Sequence, residues 1–139
     1  MFPTRILAVQ ILYALEMCQG NKSLDLIKQG FIQYHEEKFG DSPLDYKILS
    51  SIVTNVNRDK MDIDNNISTL LSDTWSVDRL PIVVLCIFRA SYCENIFSDA
   101  NNRAELICDY LQVAKSLNYT EDIKFINAII DSITKKVPE

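Results

Sequence analysis

Apolar residues recur every three to four positions along nearly the whole chain, the period of a helix buried on one side. Seven such segments can be read. The first, about 4–18, carries Leu7, Ile11, Ala14 and Cys18 on one stripe, with Thr4 as its expected N-cap and Gly20-Asn21 as its end. The second, about 23–38, carries Leu24, Ile27, Phe31 and Tyr34 and stops at Gly40. Asp41-Ser42-Pro43 reads as the start of a third, with Ser42 capping and Pro43 at the first helical position. Its face is Leu44, Ile48, Leu49, Ile52, Val53 and Val56, and Asn57-Arg58-Asp59 reads as a break. A fourth carries Ile63, Ile67, Leu70 and Leu71, followed by Trp75.

The fifth segment, about 78–96, is apolar on nearly every side, which predicts a central buried helix with Trp75 beside it in the core. Pro81 fits only in its first turn, so the start is expected near Asp78 or Arg79. Residues 98–102 read as a loop. Asn102 with Glu105 forms a capping-box-like start for the sixth helix, which holds Leu106, Ile107, Tyr110, Leu111 and Ala114. After a turn at Leu117-Asn118-Tyr119, Thr120 is the expected cap of the seventh, with Ile123, Ile126, Ile130 and Ile133 as its stripe and Lys135-Lys136 at its negative end.

Composition agrees with this pattern. Three glycines and four prolines in 139 residues are too few for the many turns of an all-β fold. The reading is therefore all-α: a single compact seven-helix domain over 1–139. The longest apolar run, 82–88, falls well short of the roughly 20 residues of a membrane span. The N-terminal sequence lacks the basic stretch and cleavage site of a signal peptide, so a cytoplasmic address is expected.

Catalytic chemistry finds no footing. His35 stands alone on a charged segment and reads as a surface residue. Cys18, Cys86, Cys93 and Cys108 form no CxxC pair and read as four buried, reduced thiols, not as metal ligands. The three glycines stand singly at 20, 30 and 40, so there is no phosphate-cradling loop. Asp59, Asp62 and Asp64 lack the central glycine and terminal glutamate of a calcium loop. No cofactor and no metal are implied.

A net charge of −5 makes the chain a poor general polyanion binder, so any nucleic-acid site must be a local basic patch. Arg89, inside the most apolar helix, reads either as half of a structural ion pair, with Glu94 or a partner elsewhere, or as a planar fork for a base or phosphate. Lys115 and Lys124 flank the 117–119 turn, beside Tyr119 and Phe125. Cations interleaved with aromatic rings suit unstacked single-stranded RNA. Phe125 stays open between a core role and a stacking platform.

Arg5-x-x-Ala8-Val9-Gln10-x-Leu12-Tyr13 is followed by Ile63-Asp64-x-x-Ile67, Trp75 and Arg79-Leu80-Pro81. Arg89, Glu94, Asp109-Tyr110-Leu111-Gln112-Val113-Ala114-Lys115 and Phe125-Ile126-Asn127-x-x-x-Asp131 come next. In this order and spacing the sequence resembles the NusB family of bacterial transcription antitermination factors over almost its whole length. The resemblance implies an all-helical, non-enzymatic protein of two packed helical subdomains, roughly 1–75 and 76–139. It implies binding to boxA-type ribosomal RNA leader together with NusE, a small-subunit ribosomal protein, within an RNA polymerase antitermination complex. By position it carries an RNA-binding role to Arg5, Gln10, Tyr13, Arg89, Lys115, Glu121, Lys124, Phe125 and Asn127.

The chain also departs from the family pattern. Only Arg5 stands where members often have an arginine-rich start, and Val84-Leu85 replaces a frequent Asp-Arg pair. Fewer phosphate contacts lower RNA affinity. An exposed Val84-Leu85 pair would extend an apolar surface, which favours a protein partner or a homodimer. A helical protein-binding module that kept the fold and lost RNA affinity is thus the alternative reading.

Overall fold

The computed structural model describes residues 1–40, 43–73, 75–97 and 102–135. Among them are six α-helices and one 3-10 turn. The helices are α1 (Phe2–Cys18), α2 (Leu24–Phe39), α3 (Tyr46–Ser68), α4 (Ile82–Phe97), α5 (Arg103–Ser116) and α6 (Ile123–Lys135). The count is one below the seven expected because the third and fourth segments form a single helix, α3. Asp59 leaves helical geometry there (φ −110°, ψ 24°), so the expected break is a kink and not a stop.

Local chemistry explains most boundaries. Gln19 in the left-handed region and Gly20 at φ 84° end α1. Gly40 at φ 56° ends α2 and returns its N–H to the Glu36 carbonyl at 2.9 Å. The Ser23 hydroxyl accepts from Leu26 N–H, and the Asn102 side chain accepts from Glu105 N–H, as N-caps do.

Several expected caps are different in the structure. α1 begins at Phe2, so Thr4 lies inside it, where its hydroxyl accepts from Asp45 N–H at 2.9 Å and ties the start of α1 to that of α3. Asp45 caps α3 through Ile48 N–H. α6 starts at Ile123 and not directly after Thr120, with its first long hydrogen bond running from Ile126 N–H to the Asp122 carbonyl. α4 starts at Ile82, after a separate 3-10 turn at Val77–Arg79, because Pro81 supplies no N–H and serves only as acceptor to Leu85. Ser42, Lys136 and the expected loop at 98–101 lie outside the described residues.

α4 is the centre of the molecule. It packs on α1, α3, α5 and α6, and residues 84–91 are all buried. Val84 and Leu85, at 2% and 8% exposure, belong to the core and not to an apolar surface. α1 packs on α2, α3, α4 and α5, which draws one continuous core through the chain. Among the described residues no helix is long and apolar enough to cross a membrane.

Three further expectations are corrected. Trp75 is 46% exposed, with its ring against that of Phe125 at 5.5 Å between centres. His35 is buried at 8%, because the start of α1 covers the end of α2. Of the four free thiols, Cys86 and Cys93 are buried, Cys18 is half-buried and Cys108 is exposed on the outer side of α5.

Candidate functional site

Two buried arginines shape the frame beneath the site. Arg5 is 3% exposed. Its guanidinium bonds Glu94 through both Nε (3.0 Å) and Nη2, and reaches Asp109 through Nη1 at 2.5 Å. The Tyr110 hydroxyl donates to the same Glu94 at 2.8 Å, and the Arg5 guanidinium lies 5.9 Å from the Tyr110 ring centre. Burial works against the charge on Arg5, but Glu94 and Asp109 outweigh it and raise its pKa further. Burial also pushes the Tyr110 hydroxyl well up, and Glu94 adds to that shift, so Tyr110 remains a donor.

Arg89 is the second. It makes a two-bond fork to Asp64, Nε at 2.8 Å and Nη2 at 2.7 Å, while its Nη1 reaches Glu16 at 3.0 Å. Lys60 meets the same Glu16 at 2.8 Å. Burial disfavours the Glu16 carboxylate, yet the Lys60 hydrogen bond and the charges of Arg89 and Lys60 hold its pKa below the ordinary value. The network joins α1, α3 and α4. Arg89 therefore has the structural ion pair, with Asp64 and Glu16 as partners instead of Glu94.

The geometry thus divides the residues singled out by sequence. Arg5 and Arg89 are saturated by carboxylates and present no free fork to a strand. The others stay accessible. Tyr13, Lys115, Glu121, Lys124 and Asn127 are exposed, and Gln10 and Phe125 are half-buried. Among the described residues neither Lys115 nor Lys124 has an ion-pair partner.

A groove of about 390 Å³ collects part of this set. Gln10 and Tyr13 of α1, Phe31 of α2, Val83 of α4, and Leu117 and Tyr119 of the α5–α6 turn line it. The turn is held in place by Tyr119 N–H bonding the Ala114 carbonyl at 2.9 Å, and by Asn118 at φ 69°. Lys115 sits one helical turn upstream. Past the turn, Phe125 lies between the buried Phe88 (ring centres 6.1 Å, edge-on) and the exposed Trp75 (5.5 Å, tilted). Phe125 therefore anchors a half-exposed aromatic pair whose inner edge is core.

Sequence reasoning did not find Phe31 and Val83 at the groove. They come from separate elements, and nothing local marks them. Trp75 was visible as a residue, but its exposure was not. The arrangement offers rings for stacking, an amide for an edge contact and two unpaired lysines for phosphates. That inventory fits a single strand better than a duplex.

A family model described as the NusB family matches residues 3–135. Transcription antitermination protein NusB from Sinorhizobium fredii is 31% identical over 138 residues, covering 96% of this chain and 84% of that protein. Its counterpart from Bartonella quintana is 29% identical, covering 96% and 86%. In a crystal structure of the antitermination factors NusB and NusE in complex with double-stranded RNA, a chain at 23% identity superposes with a TM-score of 0.77, over 96% of this chain and 95% of that one. T. maritima NusB, at 22% identity, gives 0.78 over 97% and 90%. With the family model matched over residues 3–135 and a relative 31% identical over nearly the whole chain, the chain belongs to the NusB family.

Proposed function

We propose that this protein is a non-enzymatic, cytoplasmic RNA-binding transcription antitermination factor. It binds boxA-type leader RNA together with NusE and joins the RNA polymerase antitermination complex. The observation that carries this reading is the groove where Gln10, Tyr13 and Tyr119 meet, with the exposed Lys115 four residues before Tyr119 in the chain. Rings and an amide, with a cation close by in the chain, are what an unstacked strand needs. Lys124, Phe125 and Asn127 extend the surface along the first turns of α6, with Glu121 as an opposing charge. Arg5 and Arg89 act as structural ion pairs, Arg5 fixing α1 against α4 and α5, and Arg89 fixing α4 against α1 and α3. The protein-only alternative loses its apolar surface, because Val84 and Leu85 are both core.

With a net charge of −5, protein and RNA repel at long range, so the strand is held only where the local patch and a partner act together. A fluorescence titration of boxA-type RNA, with the protein alone and with NusE, tests this. Weak binding alone and strong binding with NusE is the expected result. No binding in either case would overturn the reading.

A further inference from the structure

Trp75 is the chain's only tryptophan, and it stands in the connection between α3 and the 3-10 turn at Val77–Arg79. An indole is the largest apolar side chain, so leaving it in water forgoes more burial than leaving any other. Here the residue keeps 46% of its surface in solvent. It is nevertheless held in position. Its ring lies 5.5 Å from that of Phe125, at 31° between planes, and Phe125 meets the buried Phe88 edge-on at 6.1 Å. Its backbone N–H bonds the Ser72 carbonyl at 3.0 Å. Three rings thus run from the core helix α4, through the start of α6, to solvent.

A ring that is exposed and already ordered can take a second flat ring at little further entropic cost. The surroundings indicate what that second ring belongs to. Phe125, which supports the indole, lies between Lys124 and Asn127 on the first turns of α6, so the three rings continue the RNA surface proposed above. Arg79 is exposed four residues beyond Trp75, but Asp73 and Asp78 are exposed in the same stretch and offset its charge. Trp75 therefore stands in no basic patch. A strand reaching it is held by stacking and not by its phosphates.

We propose that Trp75 is a further RNA-binding residue, whose indole stacks on one unstacked base of the strand with Phe125 as its support. The proposal rests on the RNA-binding reading above and extends that surface from the start of α6 to the segment before α4. Such a contact accepts any base, because every base has a π-face.

The single tryptophan makes the test direct. Dye-labelled boxA-type RNA is titrated into the preformed complex of the full chain with NusE; dye anisotropy reads RNA binding and indole emission reads Trp75. A parallel titration with Trp75→Phe subtracts any emission from NusE. RNA is expected to quench Trp75 and to shield it from acrylamide. Trp75→Phe keeps a ring and is expected to bind close to wild type. Trp75→Leu keeps an apolar side chain without a flat face; it is expected to bind RNA about five-fold more weakly or worse, with an unchanged salt slope because no charge is lost. Thermal melting reports whether each variant folds, and if Trp75→Leu does not, the wild-type emission decides. RNA binding with no change in emission or acrylamide access, or a Trp75→Leu that binds RNA like the wild type, overturns the Trp75 contact and leaves the RNA reading intact. So does a Trp75→Leu that weakens NusE binding in the absence of RNA, which assigns the ring to the protein partner. Failure of the wild-type complex to bind the RNA overturns both.

Discussion

Arg5 shows how the same residue type can serve opposite ends. Its place at the start of α1 suggested a phosphate contact, yet Glu94 and Asp109 hold it inside the molecule. Nothing local distinguishes the two roles, because Glu94 is 89 residues away in the chain. Removing one partner of a buried ion pair leaves the other charged and desolvated. Arg5→Ala is therefore expected to cost roughly 3–5 kcal/mol of stability, read by denaturant or thermal unfolding. A variant that melts like the wild type and only loses RNA affinity would contradict the structural role.

The cysteines repeat the point on a smaller scale. Desolvation lifts the buried Cys86 and Cys93 thiols to about 12, so they carry almost no thiolate near neutral pH. Cys108 is open to solvent, and hydrogen bonding near Lys22 lowers the Cys18 thiol. A thiol-labelling time course in native buffer is expected to modify Cys18 and Cys108 and to reach the other two only on unfolding. Fast labelling of all four would show that α4 opens readily. Sequence alone could not separate them, since free cysteine is a common core residue and all four sit on helices.

At the scale of elements, α4 was the most legible part of the chain. A helix apolar on every side has only one place to go, and α4 is there, touching four other helices. The kink in α3 was half legible. Asn57-Arg58-Asp59 marked the position, but whether the chain stops or bends is decided by tertiary packing of Val56 and Ile63 on either side, both buried. The position of Val84 and Leu85 was misleading because their replacement of a charged pair suggested a surface. Leu85→Asp buries a carboxylate with no partner and is expected to lower stability by several kcal/mol, seen as a large drop in Tm. An unchanged Tm would put Leu85 at a surface and revive the protein-interface reading.

For the whole molecule, the fold was readable because period, caps and composition agree. The interface was readable only in outline. Tyr13 and Lys115 were found because they lie on motifs. The groove needed Phe31 and Val83 brought in from α2 and α4, and the burial of His35 needed α1 to fold over α2, which no local spacing reports. The acidic body and the two unpaired lysines also set a quantitative expectation. On a single strand each phosphate contact contributes about 0.7 to the slope of log affinity against log salt.

The proposed RNA surface runs from the Gln10–Tyr13–Tyr119 groove to the start of α6. Its most direct test is a salt titration of boxA-type RNA binding, with NusE present, for the wild type and for the Lys115→Ala, Lys124→Ala double variant. Both lysines are exposed, so the fold should be unaffected. Weaker binding and a slope shallower by about 1.4 are expected. The same affinity and the same slope in the double variant would place the RNA elsewhere on the molecule.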